Sequence, residues 1–318
     1  MFQPSTRPLA RTLAAVLAGL SLWAVGCQTD SDPGSPATTS TTPTGPVLLA
    51  PPRSPADPAI AFRSGNNLRV MNADGSNATT VYTGIPPGTQ GMNPSWSPSG
   101  TRIALMNDTH DLWRIDVSVV GGTPQGTNPT ELLDRSTSLF HAQWSPLGDQ
   151  IAFVDINLYT LEALPVSGGP PMVLYTGTTP VHSPTFSPDA SRIAFTEAGS
   201  IKLLERSSGT VTTVLGSDFG AGFSSGVNFL DWGRASDVLV FSVGSKSRAD
   251  TGIYTVNVSG GTPTFLVEGL FPSWSPDDSK VVFVELERGG NLAIFELARQ
   301  RLTRFTKVKG DWPDWRRF

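Results

Sequence analysis

Five segments of the chain share one pattern of apolar and polar positions. PSWSPSGTRIALM (94–106), AQWSPLGDQIAFV (142–154), PTFSPDASRIAFT (184–196) and PSWSPDDSKVVFV (272–284) carry it in full, and LDWGRASDVLVFS (230–242) is a worn copy. Each places a large aromatic near its start: Trp96, Trp144, Phe186, Trp232 and Trp274. A short polar stretch follows, then a strand with apolar residues at period 2. The pairs are Ile103/Leu105, Ile151/Phe153, Ile193/Phe195, Leu239/Phe241 and Val281/Phe283. The residue between each pair is small or aliphatic, so both faces of this second strand are apolar, as in a sheet covered on both sides.

A third strand follows in each unit, at 112–117, 158–163, 201–206, 253–258 and 292–297. Glycine-bearing turns come next in four units, at Gly121-Gly122, Gly168-Gly169, Ser208-Gly209 and Gly260-Gly261. The fourth strand is more polar, which suits an outer edge. In the Ser-Pro-x-x turn, Pro presets the first central position and a later position must tolerate positive φ. Gly100 and Gly148 meet that need and Asp278 can. Ala190 does not, so its turn is expected to take a different form.

The repeat aromatics are 48, 42, 46 and 42 residues apart. A period in the forties with four short strands per unit predicts propeller blades. The chain ends set the count. Residues 59–84 read as a second, third and fourth strand, with Asp74-Gly75 as a turn and no first strand before them. The terminal PDWRRF places Trp315 41 residues after Trp274, in phase. The expected fold is therefore all-β: a six-bladed β-propeller of four-stranded antiparallel blades, closed by pairing of the C-terminal strand with the first blade.

Composition narrows the class of partner. Charged residues are 16% of the chain and the net charge is −4, against about 25% charged in an ordinary domain. With no basic run to neutralise phosphates, a nucleic-acid partner is disfavoured. At the N-terminus, Arg7 and Arg11 precede an apolar run from Leu13 to Val25, a secretory pattern too short to span a bilayer well. The run ends Ala24-Val25-Gly26-Cys27, which resembles the lipobox of bacterial lipoproteins. That resemblance implies lipidation of Cys27 and a membrane anchor. Cys27 is the one cysteine, so no disulfide forms within the chain. Residues 28–58 hold 8 Pro and 10 Ser or Thr, linker composition with too little apolar material to pack. The organisation expected is a signal peptide at 1–26, a disordered tether at 27–58 and the propeller at 59–318. Such a protein is an exported envelope lipoprotein, periplasm-facing or surface-exposed. Gln28, in place of Asp after the cysteine, points weakly to the outer membrane.

The WSPDG-like turns followed by IAF-type strands resemble the WD40-like (PD40) repeats of the TolB-type six-bladed propeller family, over residues 59–318. TolB itself carries an α/β domain before its propeller; here the lipobox and tether occupy that place. The resemblance implies a periplasmic or surface-exposed module that binds a protein segment or glycan at its funnel; the departure from TolB's domain order means that its docking of a peptidoglycan-associated lipoprotein is not carried over.

Chemistry-bearing motifs are sparse. Gly222-Phe223-Ser224-Ser225-Gly226 matches G-x-S-x-G but lacks the strand–elbow–helix setting of a hydrolase nucleophile. Asn72 to Asn77 lacks the ligands of a calcium loop and reads as an Asp-Gly turn. Residues just upstream of the repeat aromatics should ring the mouth of the channel: Asn93, His141, His182, Asn228, Phe271, Asp311 and Trp312. They would form a mixed polar and aromatic rim of the kind that holds ligands. No metal, cofactor or catalytic residue is expected. The basic cluster Arg299, Arg301, Arg304, Lys307, Lys309, Arg316 and Arg317 reads as a solvated outer edge. The expected function is a non-enzymatic, monomeric binding or scaffold module for an envelope protein or peptide, or a glycan. The alternative is a polysaccharide lyase or glycosidase working in the funnel, where Asp231 and Asp311 are the acids near the rim.

Overall fold

The computed structural model describes residues 58–83, 93–107, 109–135, 137–219, 226–244, 251–286 and 289–317. The signal segment, Cys27, the tether up to residue 57 and Gly222–Ser225 lie outside the described residues. Described residues form six four-stranded antiparallel sheets. Blade 2 is β4 (Ser95–Trp96), β5 (Arg102–Met106), β6 (Leu112–Val120) and β7 (Thr123–Leu133). Blade 3 is β8 (Leu139–Trp144), β9 (Gln150–Asp155), β10 (Thr160–Pro165) and β11 (Met172–Thr176). Blade 4 is β12 (Val181–Phe186), β13 (Arg192–Glu197), β14 (Ser200–Glu205) and β15 (Val211–Leu215). Blade 5 is β16 (Gly226–Trp232), β17 (Val238–Gly244), β18 (Gly252–Asn257) and β19 (Thr264–Val267). Blade 6 is β20 (Leu270–Trp274), β21 (Lys280–Glu285), β22 (Asn291–Glu296) and β23 (Arg301–Lys309).

Blade 1 joins the two ends of the propeller. β1 (Ile60–Ser64), β2 (Asn67–Met71) and β3 (Thr79–Tyr82) take β24 (Asp311–Trp315) as their innermost strand. Ile60 pairs with Trp315 and Ala61 with Asp314, and the Arg316 amide donates to the Ala59 carbonyl at 2.7 Å. The ring is closed by its own ends, so the inner edge of β1 is paired with β24, and only the outer strand of each blade remains an edge.

Six apolar clusters fill the six junctions between neighbouring blades. The repeat aromatics supply one side of each. Trp96 packs among Ala61, Leu68 and Val70 of blade 1, and Trp315 among Val282, Val284 and Leu292 of blade 6. Second strands are buried on both faces, as Ile103, Ala104, Leu105 and Met106 illustrate.

The turn at Ala190 corrects the expectation of a different form. Its amide donates to the Ser187 carbonyl at 2.9 Å, the same bond that Gly100, Gly148 and Asp278 make in their blades. Ala190 reaches it at φ 59°. Packing explains the tolerance: the methyl is buried in the junction core. The Arg206 guanidinium, stacked over Phe186, holds the Ala190 carbonyl at 2.7 Å.

Candidate functional site

The innermost strands do not run straight. Their pairing shifts between Phe140 and Gln143, His182 and Thr185, Asn228 and Asp231, and Leu270 and Ser273. Each is a bulge, which re-aims a side chain and frees one residue from the ladder. The residue thrown out is always the third before the repeat aromatic, and it lies in the left-handed region. The φ values are 55° at His141, 51° at Ser183, 53° at Phe229, 56° at Phe271 and 47° at Trp312. Proline follows three of these, at Pro184, Pro272 and Pro313; with no N–H to leave unpaired, it fits a bulge.

These residues and the one that follows each line an axial cavity of about 70 Å³. Asn93, His141, Ser183, Phe229, Phe271 and Trp312 contribute one position from each of the six blades. Four of the six form an aromatic arc. His141 and Phe229 meet edge-on at 5.8 Å between centroids, Phe229 and Phe271 at 4.2 Å, and Phe271 and Trp312 at 5.2 Å. Arg63 caps the far end, 5.2 Å from the Trp312 ring. All four arc residues remain partly exposed.

The polar side of the arc is tied by hydrogen bonds between blades. The Ser183 amide donates to His141 Nδ1 at 3.1 Å, and the Phe229 amide to Ser183 Oγ at 3.0 Å. Accepting at Nδ1 leaves the His141 proton on Nε2 of a neutral ring. Burial, and secondarily the nearby His182, push the His141 pKa down to about 3. It therefore presents a neutral, partly aromatic surface at physiological pH.

Below the arc runs a complete girdle. The residue immediately before each repeat aromatic accepts the backbone N–H of the next blade's aromatic. Ser95 takes Trp144, Gln143 takes Phe186 and Thr185 takes Trp232, at 3.0–3.1 Å. Asp231 takes Trp274 at 2.8 Å, Ser273 takes Trp315 at 3.0 Å, and Asp314 takes Trp96 at 2.7 Å. Each bond adds about 0.5–1.5 kcal/mol, and an unmade one in this buried layer costs more.

With the sequence alone, no family model and no curated protein matches. The structure does match solved proteins. TolB from Acinetobacter baumannii aligns with a TM-score of 0.61 and 17% identity, covering 82% of this chain and 67% of that one. A putative TolB from Agrobacterium tumefaciens aligns at 0.53 and 18%, covering 77% and 87%. The fold is that of a TolB-like six-bladed β-propeller. A chain from a nidogen/laminin complex aligns at 0.63 and 13%, covering 80% and 97%. Identities this low speak to the fold alone.

Within this TolB-like propeller, Asn93, His141, Phe271 and Trp312 line the axial cavity. His182, Asn228 and Asp311 sit one residue upstream of the bulge position. His182 and Asn228 face a separate cleft of about 260 Å³ with Thr179, Pro180, Thr196 and Val227. Asp311 is half-buried, with its pKa raised by burial despite the opposing Arg63 charge. The residues that sequence reasoning missed are Ser183 and Phe229; aligning every blade on its aromatic would have found them.

The acid pair suggested for a glycosidase is not a free pair. Asp231 accepts from Ser273 Oγ, the Trp274 and Trp232 amides and Arg317 Nη2, which fills both carboxylate oxygens. The basic cluster also divides. Arg301, Arg304, Lys307 and Lys309 are exposed along β23, whereas Arg316 donates to the Ser99 carbonyl and Arg317 is buried against Asp231. The Asn72–Asn77 turn is self-contained: Asp74 Oδ1 accepts from the Ser76 amide and hydroxyl.

Proposed function

We propose that this protein is a membrane-tethered envelope module that docks a protein or peptide segment at the mouth of its channel. The observation that carries this reading is the arc His141–Phe229–Phe271–Trp312, presented from left-handed bulges beside an axial cavity. Such positions cost about 1–3 kcal/mol each and persist where surrounding structure holds them. Concentrating aromatics in a concave, partly desolvated patch is the composition of binding hot spots. The similar structure solved within a nidogen/laminin complex supports a protein as the class of partner.

Lipidated Cys27 holds the protein on the envelope membrane, with the outer membrane favoured. The Pro/Ser/Thr-rich residues 28–58 space the propeller from it, by at most about 95 Å if extended as polyproline II. The propeller acts as a monomeric scaffold and performs no chemistry.

The test compares envelope proteins retained by the wild-type propeller with those retained by Phe229→Ala/Phe271→Ala/Trp312→Ala, after matching the two for folded fraction. The reading predicts loss of the specific partner by tenfold or more. Retention of the same partner at wild-type levels would move the site away from the channel mouth.

A further inference from the structure

Two second strands end in glutamate at the same place, RIAFTE in blade 4 and KVVFVE in blade 6. In blade 4 the Glu197 carboxylate is fully engaged. It accepts the Tyr175 hydroxyl at 2.9 Å, the Thr178 and Thr179 amides at 2.7 and 3.3 Å, and the Lys202 ammonium. Tyr175 and the two threonines belong to the outer strand of blade 3 and the loop after it. The preceding blade thus closes over the acid.

At Glu285 these donors are missing. Val267 holds the register position of Tyr175: it pairs with Ile253 as Tyr175 pairs with Leu161. Leu161 and Ile253 are themselves equivalent, each paired one place past the strand phenylalanine, Phe153 or Phe241. Ala293 lies opposite Phe283 as Lys202 lies opposite Phe195. Val267 stands 7 residues before Trp274, whereas Tyr175 stands 11 before Phe186. The loop that caps Glu197 therefore has no counterpart.

What remains at this junction of blades 5 and 6 is a cleft of about 300 Å³, apolar along Val267, Leu286 and Leu302 and charged at Glu268, Glu285 and Arg304. The Glu285 side chain is 6% exposed, and Arg304 Nε donates to its Oε1 at 2.6 Å. Oε2 is buried with no hydrogen-bond partner. The corresponding oxygen of Glu197 takes both Tyr175 and Lys202. A buried carboxylate oxygen left unpaired is unfavourable, and the broad χ3 torsion of glutamate lets the carboxylate turn towards the cleft at little cost. Two carboxylates against one guanidinium leave the charged residues of this cleft one negative charge in excess. The missing partner is therefore a cation.

We propose that the cleft binds a primary ammonium on a linear alkyl stem. Blade 4 carries the template: the Lys202 ammonium on its four-carbon stem meets Glu197, and a ligand of the same shape meets Glu285. Its N–H groups reach Oε2, and its stem lies along Val267, Leu286 and Leu302. The cleft shares no lining residue with the axial cavity, so this site is separate from docking at the channel mouth.

The test titrates n-butylamine, and 1-butanol as its neutral isostere, into the whole protein at pH 7 and constant ionic strength, with binding read by ligand-observed NMR. Butylamine should bind at least tenfold more tightly than butanol. Glu285→Gln should erase that preference. Val267→Tyr, which supplies the tyrosine of blade 4 and leaves every charge in place, should abolish binding of both. Nα-acetyl-lysine methylamide separates the two sources of this chemistry: affinity equal to that of butylamine assigns the site to a partner's lysine, and affinity at least tenfold weaker assigns it to a free amine. The wild-type comparison stands whether or not a variant folds. Equal affinity for butylamine and butanol in the wild type, or butylamine binding unchanged in either folded variant, would overturn the proposal and leave the docking role untouched.

Discussion

The Trp96 backbone N–H donates to Asp314 Oδ2 at 2.7 Å, across 218 residues of sequence. This bond completes the girdle in which every blade holds the aromatic of the next. It is also the member made by the strand that closes the ring. Asp314→Ala leaves the buried Trp96 amide unpaired and should lower unfolding stability by about 1–3 kcal/mol. Asp314→Asn keeps an acceptor and should lose much less. Denaturant titration of the two variants separates them.

Asp314 also gives the closure a pH dependence. Burial dominates its environment and raises its pKa from 3.8 to about 7, with the Arg317 charge opposing. A carboxyl with a raised folded-state pKa contributes stability that is present below its unfolded pKa and lost as pH rises through the folded value. Wild type should therefore lose stability relative to Asp314→Asn between about pH 4 and pH 7. A difference in Tm that stays constant over that window would refute the assignment.

His141 acts with the opposite sign. Its pKa falls from 6.5 to about 3, so its contribution is present above pH 6.5 and is lost as pH falls towards 3. His141→Asn retains a short acceptor for the Ser183 amide and has no proton to bind. It should flatten this acid-side loss, read as the change in Tm between pH 7 and pH 4 against wild type.

The turn glycines are not equivalent. Gly148 sits at φ 74°, and an added Cβ would make ordinary van der Waals contact with Pro98 at 3.5 Å. Gly148→Ala should cost about 1–2 kcal/mol, the ordinary penalty of a left-handed alanine. At Gly100 a Cβ would fall 1.7 Å from Arg316 Nε. Gly100→Ala should cost more, because Arg316 must leave its stack on Trp96 and its bond to the Ser99 carbonyl.

Much of this molecule was legible in the sequence because its repeat is carried by large side chains at fixed spacing. Trp96, Trp144, Phe186, Trp232, Trp274 and Trp315 mark six junctions, and the phase of Trp315 announced the closure. Position within the channel was harder to read. Each blade presents the third residue before its aromatic, so His182, Asn228 and Asp311, four before it, fall one place short of Ser183, Phe229 and Trp312, which line the cavity. Arg317 reads as part of a basic surface because it ends a run of basic residues whose members on β23 are exposed. Its burial follows from Asp231, 86 residues earlier, and no local pattern reports that. Ala190 misled because its steric preference is a local property, while its turn is held by Ser187 and Arg206.

Deleting residues 312–318 tests closure as a whole. The deletion removes Trp315 from a junction core, where loss of a large aromatic alone costs about 3–5 kcal/mol. It also removes Asp314 from the girdle. An insoluble or partly unfolded product is expected. A soluble deletion with an unchanged melting curve would contradict the closed ring.

The most direct test of the functional account is site-specific photocrosslinking in the native envelope. A photoreactive benzoylphenylalanine at position 271 in the arc should capture one discrete protein partner. The same group at position 173, on the outer strand of blade 3, should not capture it, and adding Phe229→Ala and Trp312→Ala to the position-271 protein should abolish the adduct. Capture of the same partner from position 173 but not from 271, or an adduct at 271 indifferent to the loss of Phe229 and Trp312, would contradict docking at the channel mouth.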